Sequence, residues 1–142
     1  MFKKSLKIGQ KGEVKVIKRL LKEGIDVRDY TDYDTYKAVQ QKGYDIEVLN
    51  SETEEWDRVD IKTNLKGDTI LLEDTNYGHL GWFWTSSADS IYHYNLEEDI
   101  LYGYELKKMR NYVFKYDLQP TIGRGKNLIG IKIEDTTIIK KL

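Results

Sequence analysis

Apolar and polar residues change rhythm several times along this chain, and each change predicts an element. Near the start, Ile8, Val14, Val16, Ile17, Leu20 and Leu21 recur with the spacing of one helix face. That spacing predicts a helix from residue 5 or 7 to residue 23, stopped by Gly24. Glu13 precedes Ile17 by four and Leu20 by seven, so it falls on the buried stripe. A carboxylate there is costly unless it meets a cation or hydrogen-bond donors.

The rhythm then shortens to two. Residues 25–30 read as a short strand, and residues 31–42 as a polar connector without clear periodicity. Gly43-Tyr44-Asp45-Ile46-Glu47-Val48 and Val59-Asp60-Ile61-Lys62 alternate polar with apolar, the pattern of half-buried strands. Side chains two apart on a strand share a face, which groups Asp45 with Glu47 and Asp60 with Lys62. Residues 50–55 are polar and unpatterned, a hairpin loop. With that loop, paired residue numbers sum to a constant that sets Leu49 opposite Trp56, Ile46 opposite Val59, Glu47 opposite Arg58, and Asp45 opposite Asp60. Opposed carboxylates repel unless something positive sits between them, and a divalent cation is the natural occupant.

Further along, residues 69–73 predict a third strand of the same sheet, and the segments around Trp82-Phe83-Trp84 and Ile91-Tyr92-His93-Tyr94 flank a turn rich in hydroxyls. Leu101-Tyr102-Gly103-Tyr104 gives another strand. Residues 105–116 give a helix with Leu106, Met109, Val113 and Tyr116 on one face, and residues 126–133 and 136–139 read as strands. His93 lies in an apolar strand and is expected to be structural, whereas His79 sits in a glycine-flanked loop.

At 142 residues the chain predicts one domain, residues 1–142, with a core over about 8–95 and a C-terminal helix and strands over 96–142. No apolar run approaches a membrane span, the first residues lack the apolar core of a signal peptide, and there are no cysteines. Disulfide scaffolds and thiolate zinc sites are thereby excluded, and the cytoplasm is the expected location. A net charge of −1 argues against a protein that coats DNA. It argues less against a metal nuclease, whose acidic cluster is neutralised by its ions. Basic residues cluster locally, and Lys11, Arg124 and Lys126 are the candidates for nucleic-acid contact.

The ordered set of Glu13 on a helix, Asp45 on one strand, and Asp60 and Lys62 on the next resembles the PD-(D/E)XK nuclease superfamily, including archaeal Holliday junction resolvases. The resemblance covers roughly residues 8–95. Tyr44 stands where the signature writes Pro, and Asp60 where Glu is commoner. The resemblance implies an α/β restriction-endonuclease-like fold, a central mixed β-sheet flanked by helices. It implies Mg²⁺ or Mn²⁺ held by Asp45, Asp60 and the Ile61 backbone carbonyl, with Glu13 reaching the ion through a water. Lys62 would orient the attacking water. The implied activity is hydrolysis of DNA phosphodiester bonds, in a homodimer where both strands are cut. Sequence-specific cleavage, junction resolution and end processing all fit. The alternative from another class is a non-catalytic nucleic-acid- or protein-binding module that retains the fold.

Overall fold

A computed structural model describes residues 2–64, 67–122, 125–134 and 137–142, by backbone alone at 2–5 and 122. The amphipathic start forms α1 (Phe2–Lys22), which ends where Gly24 turns the chain at φ +80°. Val16 and Leu20 are buried, while Leu21, expected on the apolar stripe, and Val14, expected to widen it, are half exposed. The helix begins earlier than the spacing predicted, because the polar residues ahead of the stripe continue it without a stop signal.

Three strands follow around one more helix: β1 (Val27–Asp29), α2 (Tyr33–Gln41), β2 (Ile46–Asn50) and β3 (Glu55–Asn64). The β2–β3 register is the predicted one, with Ile46 facing Val59, Glu47 facing Arg58 and Leu49 facing Trp56. α2 replaces the expected connector. Its periodicity was hidden because none of its residues is buried. Asp32 closes its first turn by accepting from the Thr35 hydroxyl at 2.8 Å.

The chain then leaves the first sheet. β4 (Thr69–Asn76), expected as a third strand of the same sheet, pairs instead with β5 (His79–Leu80) and with β9 (Lys126–Lys132), which itself pairs with β8 (Thr121–Ile122). Ahead of the hydroxyl-rich turn, α3 (Trp82–Thr85) is a single helical turn. β6 (Ser90–Asn95) returns to the first sheet parallel to β3, followed by β7 (Ile100–Glu105), α4 (Leu106–Lys115) and finally β10 (Lys140–Lys141). This last strand lies just beyond the one predicted at 136–139, and Thr136 is outside the described residues. The main sheet has the order β1-β2-β3-β6-β7-β10, with β3–β6 its parallel pair. The second sheet has the order β5-β4-β9-β8.

Two apolar clusters hold these layers. On one face of the main sheet, Val16 and Leu20 of α1 cover Ile46, Val48, Val59, Ile61, Tyr94 and Leu101. On the other, Phe83 of α3, Leu106 and Met109 of α4, and Ile70, Leu72, Ile129 and Ile131 of the second sheet enclose Ile91 and Tyr104. Burying such side chains contributes about 1.5–3 kcal/mol each. Among the described residues, no helix is long and apolar enough to cross a membrane.

Candidate active site at the β2–β3 carboxylates

Asp45 sits one residue before β2 and is fixed by its own backbone. Its N–H donates to the Val59 carbonyl at 2.9 Å, and its carbonyl accepts from the Tyr30 N–H at 2.9 Å. The loop leading to it is held from α3: the Ser86 hydroxyl donates to the Gly43 carbonyl and the Ser87 hydroxyl to the Lys42 carbonyl, each at 2.6 Å. Thus the hydroxyl-rich turn after Trp84 also anchors the approach to Asp45.

The Asp45 Oδ2 accepts from the Ile61 N–H at 2.8 Å, which turns the carboxyl across the strand gap toward Asp60. Asp60 is 7% exposed, and the two carboxyls interact directly. Burial first, then the charge and hydrogen bond of Asp60, push the Asp45 carboxyl well above the usual range; the Ile61 N–H opposes the shift. Without a cation, the pair is therefore driven to share a proton.

Lys62, two residues along the same face, places its Nζ 3.0 Å from Asp60 Oδ2 and 4.7 Å from the centroid of Trp82. The indole face holds the ammonium beside the carboxylate. Beneath Asp60, Tyr104 and His93 form a buried floor, with His93 Nε2 and the Tyr104 hydroxyl 2.9 Å apart. Burial, aided by the Lys62 charge, lowers His93 to about 3, so the ring is neutral and structural, as expected from its apolar strand.

Glu13 approaches from α1. Its carboxyl is raised to about 7, mainly by burial, then by Asp60 and Asp29, with Lys62 opposing. The close approach depends on Gly12: a Cβ there would lie 1.9 Å from Thr63 Oγ1. Asp29, at the end of β1, adds a charge that the sequence reading did not single out. Short exposed strands carry no periodic signal strong enough to mark such a residue.

The structure thus brings Glu13, Asp45, Asp60 and Lys62 into one electrostatic cluster. It does not bring Lys11 or Lys126 there. Lys11 is exposed two residues from Glu13, about 200° around the helix, and so points away. Lys126 is ion-paired with Glu73 at 3.5 Å on the second sheet, and Arg124 lies outside the described residues. Glu47 does not pair with Arg58 despite facing it. Instead it accepts from the Tyr30 hydroxyl and lies 3.6 Å from Arg28, while Arg58 engages Asp89 at 3.2 Å.

Among the described residues, no three His, Cys, Asp or Glu side chains form a ready metal cage. The donor set nevertheless suits a small hard cation. Mg²⁺ characteristically takes one or two carboxylates and fills its other positions with water and substrate oxygens. Asp45 and Asp60 supply two oxygen donors whose mutual repulsion a cation would relieve.

No family model matches the chain, and no curated protein does. Among solved structures, a bacterial homing endonuclease, I-Ssp6803I, matches 88% of this chain and 72% of its own, with a TM-score of 0.52 at 14% sequence identity. The mixed α/β scaffold that carries the carboxylate pair is therefore a fold shared with a nuclease.

Proposed function

We propose that this protein is a divalent-cation-dependent endonuclease of the PD-(D/E)XK type, hydrolysing phosphodiester bonds in DNA. The observation that carries the reading is the buried Asp45–Asp60 carboxyl pair with Lys62 on the same strand face. The fold shared with a homing endonuclease supports it. Asp45 and Asp60 would hold Mg²⁺ or Mn²⁺, with the Ile61 carbonyl a further donor and Glu13 acting through a water. When bound, the cation lowers the pKa of the attacking water and offsets the charge of the scissile phosphate.

The chain's own residues do the rest. Asp60 and Trp82 keep the Lys62 ammonium at the edge of the pair, where it can orient the attacking water and stabilise charge developing on the phosphorus. Paired with the Asp60 carboxylate, Lys62 would serve by electrostatic positioning and not as a base. Glu13 accepts a proton more readily than an ordinary carboxylate and, unlike Asp45 and Asp60, would not hold the cation directly, which leaves it free to act as a base. Cutting both strands of a duplex would use two copies of the chain, since one such site cuts one strand.

Incubating the protein with supercoiled plasmid, linear duplex and a four-way junction, in Mg²⁺ and in EDTA, tests the reading. Cleavage of at least one substrate in Mg²⁺ and none in EDTA is expected. Absence of cleavage from every substrate in both Mg²⁺ and Mn²⁺ would instead favour a binding module that retains the fold.

A further inference from the structure

α1 carries lysines at 7, 11, 15, 18 and 22, a spacing of four, four, three and four that places them on one stripe of the helix. All five are exposed. The stripe is about 22 Å long at 1.5 Å per residue. None of the five forms an ion pair or hydrogen bond among the described residues. By contrast, Arg28, Arg58, Lys62, Lys108, Lys126 and Lys132 are each paired with a carboxylate. By sequence, residues 2–22 hold seven lysines, Arg19 and a single acid, Glu13, for a net +7 against −1 for the whole chain, so that the remainder carries −8. The excess of positive over negative charge is gathered on one element.

This arrangement works against the helix that bears it. Like charges at i,i+4 destabilise a helix by about 0.2–0.5 kcal/mol per pair. The first turn has no acidic residue to complement the dipole. The lysines are also about 6 Å apart along the axis, inside the Debye length of about 8 Å at physiological salt, so their fields add. A locally unfavourable pattern with no gain in packing points to a ligand that relieves it.

Position separates the stripe from the carboxylate pair. On the helical wheel its centre lies about 160° from Glu13, on the far side of α1. Beside it is a shallow groove of about 680 Å³ lined by Lys15, Lys18, Arg19, Lys22, Glu23 and Asp99. Glu23 pairs with Arg19 at 3.6 Å and Asp99 accepts from the Tyr94 hydroxyl, so the groove's four basic side chains outnumber its two acids. The core-facing side of α1 is covered by the main sheet, and its exposed apolar residues, Leu6, Val14 and Leu21, stand singly, two turns apart along the helix, rather than as one apolar face.

We propose that this face of α1 is a docking surface for the phosphate backbone of a DNA segment other than the one at the carboxylate pair, whether a flanking stretch or a second duplex. The inference rests on the nuclease reading for its choice of polyanion. Its test needs no turnover, so the two can fail separately. A fluorescent duplex of ~40 base pairs is titrated with the full-length protein in EDTA, between about 50 and 200 mM salt. Each lysine that displaces a counterion contributes about 0.9 to the slope of log affinity against log salt. The triple variant Lys15→Gln, Lys18→Gln, Lys22→Gln is expected to lower that slope by about 2.7. The triple Lys→Arg variant, which keeps the charges, is expected to retain it. The same loss should appear in an Asp60→Ala background, because distant, independent surfaces contribute additively. A slope unchanged in the Gln variant would overturn the proposal. So would a failure of additivity with Asp60→Ala, or Lys-dependent binding confined to phosphatidylserine vesicles.

Discussion

Asp45 and Asp60 are held together by backbone, not by attraction. The Ile61 N–H and the β2–β3 ladder keep the carboxyls facing, and burial first, then the charge of Asp60, raises the proton affinity of Asp45 and of Glu13. A folded-state pKa above the unfolded value means that the native state binds the extra proton. That contribution to stability is fully present below the unfolded value, near 4, and is lost as pH rises through the folded value. Asp45→Asn keeps an acceptor for the Ile61 N–H and carries no charge. In EDTA, we expect its melting temperature to exceed the parent's by more at pH 8 than at pH 5. Saturating Mn²⁺ should reverse the order at pH 8 by stabilising only the parent. A difference independent of pH would show that the Asp45 carboxyl is not the strained group. His93 contributes with the opposite sign, losing stability as pH falls from its unfolded value near 6.5 toward about 3, so the comparison must be made between variants and not along one curve.

At the scale of elements, α1 has three assignments on two sides, with Glu13 on the same side as the core residues. Val16 and Leu20 pack the core, Glu13 enters the acidic cluster, and the lysine stripe faces solvent. The crossing with β3 sets where Glu13 arrives, and Gly12 sets the crossing. An added Cβ would sit 1.9 Å from Thr63 Oγ1 and 2.8 Å from its Cβ, so Gly12→Ala must push the helix away. Such overpacking costs about 1–3 kcal/mol. We expect Gly12→Ala to lower the melting temperature and to reduce turnover far more than DNA affinity, with partial recovery when Thr63→Gly is added. Recovery of stability without recovery of turnover would mean that the crossing does not position Glu13.

Elements with one buried face and one wet face were legible in the sequence. The β2–β3 register followed from alternation and loop length, since a slip by one residue would turn every apolar side chain to the wrong face. The apolar face of α4 followed likewise, with Leu106, Met109 and Val113 buried, though Tyr116 falls just past the helix end and is exposed. α2 was invisible because it buries nothing, and α3 because four aromatic-rich residues look the same as a strand or as a helical turn. The departure of β4 into a second sheet was equally hidden. Alternation reports that a strand has a buried side, not which strand it pairs with. Within the candidate site, the acidic residues and Lys62 stood out by spacing. Asp29, Trp82 and the Ser86–Gly43 link did not, because each acts through a contact distant in sequence.

For the whole molecule, charge is divided between two surfaces: an acidic cluster at one end of the main sheet and a lysine stripe on the far side of α1. On the proposed nuclease reading, the acidic cluster would repel DNA until a cation neutralised it, and substrate approach would then depend on metal occupancy. The central claim is that Asp45 and Asp60 together form the cation site. Calorimetric titration of Mn²⁺ into the metal-free parent, Asp60→Ala and Lys62→Ala tests this most directly. Binding to the parent and to Lys62→Ala, the latter equal or tighter because a competing ammonium is gone, with no binding to Asp60→Ala, is the predicted result. Mn²⁺ binding that survives in Asp60→Ala, or that is absent from the parent, would contradict the account.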